Sequence, residues 1–290
     1  MMRKLILLTL LVTGVATAAD TPIDIGAPVS TPPPASTAVQ PSASAPAQTP
    51  GPLPPSASSP AAVTADATAA TAEAIALLKT GDMSFSVDWN SIPLGDATIT
   101  LSSVDGKGCY RYESVTNPVG PVRWIYGSPH ELSLFCIKDG VIQPSHYEYD
   151  IRQRPKDSFT LDFDWKNKRV KTIKGGNVTL RDLPDIAYDR FGLQQAIRLW
   201  VIQHANDPKP PPPAEFITVD DKDINHYKFA ILGREKVVTP VGSFDAIRVD
   251  RVDSETRSTR SWVAPARDYQ VIKVESVNRG NVELGMLLNK

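Results

Sequence analysis

Asp162 and Asp164 flank Phe163 in the run LDFDW. On an extended chain both carboxylates point to one side, and Leu161, Phe163 and Trp165 point to the other. Two carboxylates on one face could share acid–base work of the kind a glycan hydrolase needs. The same pattern also describes a solvated face opposite a buried aromatic face, and that is the expectation here. Asp220, Asp221 and Asp223 resemble half of a calcium loop. The central Gly and terminal Glu of such a loop are missing, so the run reads as a turn. His130, His146, His204 and His226 show neither H-x-H nor H-x-x-x-H spacing, which gives no zinc signature. No serine lies in G-x-S-x-G or S-x-x-K, and no G-x-x-x-x-G-K or G-x-G-x-x-G phosphate loop occurs. Asn177-Val178-Thr179 is formally a glycosylation sequon, without meaning in a bacterial envelope. No catalytic residue, cofactor site or metal ligand is therefore assigned, and the chain is not expected to be an enzyme.

Two residues point to covalent chemistry of a structural kind. Cys109 and Cys136 are the two cysteines of the sequence, and each falls in an alternating run. In an oxidising compartment such a pair is expected to form one disulfide, and a redox role would call for C-x-x-C spacing. Arg248, Arg251, Arg257 and Arg260 interleave with Asp245, Asp250, Asp253 and Glu255. Alternating signs of this sort suit pairing across exposed strand faces, with a polar ligand contact as the alternative. Trp89, Trp124, Trp165, Trp200 and Trp262 are spread along the chain. They are the candidates to line an apolar cavity, or else to fill a core.

The elements that must position these residues are mostly strands. From Met83 onward the chain runs in short segments of period two: MSFSVDW, ATITLSSV, CYRYESV, ELSLFCI, HYEYDI, SFTLDFDW, KRVKTIK and NVTLRDL. EFITV, HYKFAIL, EKVVT, FDAIRVDRV, RSTRSWVAP, YQVIKVESV and VELGMLL follow. Asp105-Gly106, Asp139-Gly140, Lys166-Asn167, Gly175-Gly176 and Thr239-Pro240-Val241-Gly242 supply turns between them. One segment departs from the pattern. Leu193, Ile197, Trp200 and Val201 recur at helical spacing, which predicts one amphipathic helix ending near Ala205, ahead of the stiff run DPKPPPP. About fourteen strands joined in order tend to curl on themselves. The expected fold is mainly β: one large, strongly curved antiparallel sheet, a half-barrel or β-spiral, with the helix across its opening. A two-sheet sandwich is the alternative.

Four regions follow. Residues 1–19 read as a cleavable export signal, with Arg3 and Lys4 before a short apolar run and Ala16-Thr17-Ala18 at its end. That run is about eleven residues, roughly 17 Å as a helix, too short to span a bilayer core of about 30 Å. No cysteine follows it, so a lipoprotein anchor is not expected. Residues 20–65 are Pro, Ala, Ser and Thr with few large apolar groups, the composition of a disordered linker. Residues 66–81 could form a short helix, and 82–290 form the curved β domain. With 31 basic and 32 acidic residues, the formal net charge is -1, which offers nothing to nucleic acid.

The strings KVVTPVGSFDAIRVDR, RSTRSWVAP and VIKVES, with FSVDWNSIPLGDATITL and SHYEYDIRQRPKDSFTLDFDW, resemble the Domain of Unknown Function 3108 family of bacterial periplasmic proteins. The likeness covers about residues 83–288. It implies a curved antiparallel sheet with a helix, loosely similar to the periplasmic lipoprotein carriers, and carries over no catalytic residue. The expectation is a soluble periplasmic protein of a Gram-negative envelope. It would bind an apolar or amphipathic component, a lipid or lipoprotein, in the concavity of its sheet. The alternative is an envelope-integrity interaction or scaffold protein that holds no small molecule.

Overall fold

The structure is a computed structural model that describes residues 72–290. The export signal over 1–19, the linker over 20–65 and the start of the segment 66–81 lie outside the described residues. Within that last segment, 72–77 form a helical stretch, α1, which sets Ala74 and Leu78 into the core.

Fourteen antiparallel strands form one sheet. In chain order the first eight are β1 (Gly81–Trp89), β2 (Ile92–Ser103), β3 (Cys109–Pro118), β4 (Pro129–Lys138), β5 (Val141–Ile151), β6 (Phe159–Asp164), β7 (Arg169–Lys174) and β8 (Asn177–Asp182). The remainder are β9 (Ala214–Val219), β10 (Ile224–Thr239), β11 (Gly242–Arg251), β12 (Arg257–Ala264), β13 (Gln270–Asn278) and β14 (Asn281–Leu288). The spatial order is β8 to β1 and then β14 back to β9. Each strand thus pairs with its sequence neighbour, except that β1 and β14 meet in the middle and β8 and β9 are left as the two edges. The sheet is not closed.

Period-two burial explains why these segments are strands. Met83, Phe85 and Val87 of β1, Ile99 and Leu101 of β2, and Phe159, Leu161 and Phe163 of β6 all enter one continuous core. HYKFAIL and EKVVT, read as separate runs, are one strand: β10 crosses Gly233, where the register with β11 shifts. Gly233 sits at φ +124°, a conformation that a side chain resists, so the glycine permits a bulge rather than a break.

Three helices accompany the sheet. Beyond α1, a short helix α2 (Gly120–Tyr126) joins β3 to β4, where no helical period is legible. The helix α3 (Arg190–His204) is the expected one, extended by a turn. Its burial is broader than an amphipathic stripe, since every residue from Arg190 to Leu199 is buried. The reason is its location: α3 lies between β4 and β5 on one side and β9 on the other. The chain leading into it also covers part of the β9 edge. Tyr188 N donates to Ile217 O at 2.9 Å, and Val219 N donates to Tyr188 O at 2.8 Å.

Candidate functional site

The strongest concentration of buried polar groups lies where α3 begins. Alternation along β4 turns Glu131 and Ser133 inward, in phase with Phe135 and Ile137. β5 contributes Tyr147 and Tyr149 from its inner face. Asp189 caps α3: its Oδ1 accepts from Phe191 N at 2.9 Å and Gly192 N at 2.7 Å. Its Oδ2 accepts from Ser133 Oγ at 2.7 Å, which ties the cap to β4. Tyr147 donates its hydroxyl to Glu131 Oε2. Arg190 Nη2 donates to Asp220 Oδ1 at 2.8 Å, while its Nη1 stands 4.0 Å from Glu131. The Arg190 guanidinium also lies over Tyr149 and Phe159, 5.4 and 5.5 Å from their ring centres.

Burial sets the protonation states here. Removal from water pushes Glu131 up to about 7, with Arg190 and the Tyr147 hydrogen bond acting the other way. Burial likewise raises Asp189 to about 6, against the hydrogen bonds of its cap. Burial opposes the charge of Arg190, but Tyr147, Asp220 and Glu131 outweigh it and hold the guanidinium protonated. Burial and the Glu131 charge raise the Tyr147 hydroxyl well above its usual range. The group is thus a cation with two carboxyls that change charge near neutrality.

The same cluster draws the two sheet edges together. Arg181 of β8 donates from Nη2 to Asp220 O at 2.6 Å and to Thr172 Oγ1 at 2.7 Å. Lys174 of β7 pairs with Asp221. Asp220, Asp221 and Asp223 therefore form the expected turn, and Asp220 N donates to Asp223 O. The carboxylates of Asp220 and Asp221 hold Arg190 and Lys174, and the Asp220 carbonyl holds Arg181. Several buried polar atoms on α3 and β9 have no hydrogen-bond partner among the described residues: Arg190 Nε and Nη1, Gln194 Nε2, Arg198 Nε and Thr218 Oγ1.

The residues singled out by sequence are placed as follows. Cys109 and Cys136 face one another as registered partners of β3 and β4 and form the disulfide. Asp162 and Asp164 lie opposite the buried Phe163, with Asp162 2.7 Å from His146 Nδ1 and Asp164 accepting from Asn167 N at 3.0 Å. Each histidine pairs with a different carboxylate: His130 with Glu113, His146 with Asp162, His204 with Asp207 and His226 with Glu215. Among the described residues no three His, Cys, Asp or Glu side chains gather as a metal site. Arg248 holds Asp250 at 2.7 Å and Glu235 at 2.9 Å, Arg251 holds Asp253 at 2.7 Å, and Arg260 lies 3.5 Å from Glu275.

The five tryptophans do not converge. Trp89 is half-buried at the end of β1. Trp165 stacks on Phe163 and donates to Pro144 O at 2.6 Å. Trp200 meets Phe216 edge-on at 5.9 Å. Trp262 sits across the sheet between its registered partners Arg248 and Lys273 and donates to Glu235 Oε2 at 2.9 Å. Trp124, on α2, is 90% exposed. The aromatic groups that meet inside the curve are instead Tyr112, Tyr147 and Phe191, with Phe191 4.6 Å from Tyr112.

A family model described as "Protein of unknown function (DUF3108)" matches residues 84–285. The chain belongs to the DUF3108 family. The match spans β1 to β14, so the whole sheet of this DUF3108 protein is the family unit. No curated protein matches the chain. Among solved structures, a Bacteroides fragilis protein inferred to be exported and having a YmcC-like fold is similar at 9% identity, with a TM-score of 0.32, over 72% of this chain and 93% of its own. A Parabacteroides distasonis protein inferred to be a lipoprotein is similar at 11% identity, with a TM-score of 0.29, over 74% of this chain and 95% of its own.

Proposed function

We propose that this DUF3108 protein is an exported, non-enzymatic interaction protein of the cell envelope, working through an open sheet edge. The observation that carries the reading is β8. It ends the sheet, and Val178 and Leu180 on its outer face are 59% and 63% exposed. Tyr188 bridges part of the β9 edge, whereas β8 has no backbone partner beyond β7 among the described residues, its tie to the β9–β10 turn running through the Arg181 side chain. In the β7–β8 hairpin, Lys174 and Asn177 flank a two-residue turn, so the N–H groups of Val178 and Leu180 point away from β7. Such an edge accepts an extended strand from a partner. Export rests on the leader read at 1–19.

The test is affinity capture from native envelope extracts with wild type, Leu180→Pro and Val178→Lys. Proline at 180 deletes an outward N–H and spares the β7 ladder, while lysine at 178 leaves the backbone intact and charges the edge. A partner held by wild type and lost from both variants, each with a wild-type unfolding midpoint, supports the reading. Equal capture by all three overturns it.

The second reading places an amphipathic ligand, a lipid or lipoprotein, inside the curve. The unpartnered atoms of Arg190, Gln194 and Thr218 favour it, because such polar groups would suit a headgroup. Native mass spectrometry of protein from its own periplasm separates the two readings: a co-purified lipid mass supports this one, and bare protein removes it.

A further inference from the structure

The end of the sheet around α2 carries a surface that neither the edge strand nor the buried cluster uses. Pro121 begins α2, where a missing N–H costs nothing. Gly127 ends it at φ +77°, and a Cβ there would stand 2.4 Å from Ile151 Cγ2, so this close approach demands glycine. Val119 N donates to Leu94 O at 2.8 Å, Ser128 N donates to Gln153 Oε1 at 3.0 Å, and Val122 packs against the core. The helix is thereby fixed between the β1–β2 tip and the β5–β6 turn. With Val122 turned in, Trp124 and Ile125 are turned out, and Ile125 is 57% exposed. Val119 and, at the neighbouring tip, Ile92 are exposed as well.

Cations flank these apolar groups on the side of the β5–β6 turn. Arg123 is exposed on α2 itself, and the adjoining β5–β6 turn adds exposed Arg152 and Lys156 with half-buried Arg154. Two carboxylates stand among them. Asp157 is taken by Arg154 at 2.6 Å, and Asp150 accepts from Ser158 Oγ at 3.0 Å. Arg123, Arg152 and Lys156 are left facing outward. An exposed tryptophan with aliphatic neighbours beside a basic cluster matches a bilayer surface. The indole settles at headgroup depth, the aliphatic groups enter the acyl boundary, and the cations meet lipid phosphates.

We infer that α2 and the β5–β6 turn form a peripheral docking surface for a membrane leaflet rich in anionic phospholipid. The contact is peripheral because it is made by exposed side chains of a short helix and a turn. Charge complementarity selects the anionic leaflet over a neutral one. This surface is separate from the β8 edge, so the two readings stand or fall independently.

The experiment is vesicle flotation and tryptophan emission with the full chain. The vesicles are phosphatidylethanolamine with phosphatidylglycerol in one arm and phosphatidylcholine alone in the other. Wild type is expected to float with the phosphatidylglycerol vesicles, to shift its emission to the blue, and to be released at high salt. Trp124→Ala is expected to weaken binding by about tenfold or more and to abolish the shift. Arg152→Glu/Lys156→Glu is expected to weaken it by at least about fivefold for each cation removed. All of these positions are exposed, and both variants keep the same N-terminal segment, so a difference between them and wild type belongs to this surface. No flotation, equal flotation with phosphatidylcholine, or variants that bind like wild type would overturn the inference. So would a wild-type dimer that Trp124→Ala converts to monomer, since a second copy would then be the occupant.

Discussion

Glu131→Gln is the most direct probe of the buried cluster. Glutamine keeps the shape of the side chain and an oxygen for the Tyr147 hydroxyl, but it cannot ionise. In the unfolded chain Glu131 releases its proton near the ordinary value of 4.5, and burial in the fold delays that release to about 7. Between those two values the folded protein binds a proton that the unfolded chain has lost, so stability falls as pH rises. From about pH 5 to about pH 8 this one group removes roughly 2–3 kcal/mol. Glu131→Gln omits that loss. It should match wild type near the acidic end and exceed it by roughly 2–3 kcal/mol at the alkaline end. Urea unfolding at both pH values, with unchanged m-values, measures the difference. Parallel pH profiles, or a variant that loses more stability than wild type at high pH, would refute the reasoning. The second result would mean that Glu131 is ionised in the fold and gains from Arg190.

Asp189→Ala removes the acceptor for two α3 amides and for the Ser133 hydroxyl. A cost of about 2–4 kcal/mol in urea unfolding is expected, and Asp189→Asn should recover much of it. Replacing Cys109 and Cys136 together by Ala opens a bridge of sequence separation 27 and should lower stability by about 3–4 kcal/mol. The fall should match that of wild type measured under reducing conditions. Asp162→Asn/Asp164→Asn should change stability by less than about 1 kcal/mol, because both carboxylates are solvated. It should also leave any glycan-hydrolysing activity of the preparation unchanged, and a loss would return these residues to a catalytic role.

Period-two patterning made the strand ladder legible, because a buried inner face forces Phe85, Ile99, Leu161 and Val274 into phase. The cysteine pair was legible for a similar reason, since each cysteine lies in a recognisable strand. The buried cluster was hidden by β4. In ELSLFCI the leucines alternate with Glu131 and Ser133, so hydrophobicity alone turns the strand the wrong way round. The polar residues Glu131 and Ser133 are inward ones. Arg190 and Asp220 lie 30 positions apart and belong to no spacing motif, so only the tertiary fold brings them together. The helix α2 escaped notice because seven residues are too few to show a period, and Pro121 with Gly127 reads as loop. The tryptophans divide: Trp262 lies in the core and Trp89, Trp165 and Trp200 pack against it, whereas Trp124 does not. Their size argues for burial, but an indole is equally at home at a boundary between apolar matter and water, as Trp124 illustrates.

The meeting of β1 and β14 bears on how the molecule is born. Ser84 N donates to Lys290 O at 3.0 Å, and Asn289 N donates to Ser84 O at 2.9 Å, so the first strand to emerge is locked by the last. A chain that emerges from its N-terminus can assemble β1 through β8 early. One flank of β1 then stays bare until the final residues arrive. Loss of β14 alone would part the sheet into two separate meanders and expose an unpaired strand on each. Conversely, a permuted gene that begins after α3 and joins 290 to 81 would turn the most distant partners into a simple hairpin. Its refolding should be faster than that of the natural order.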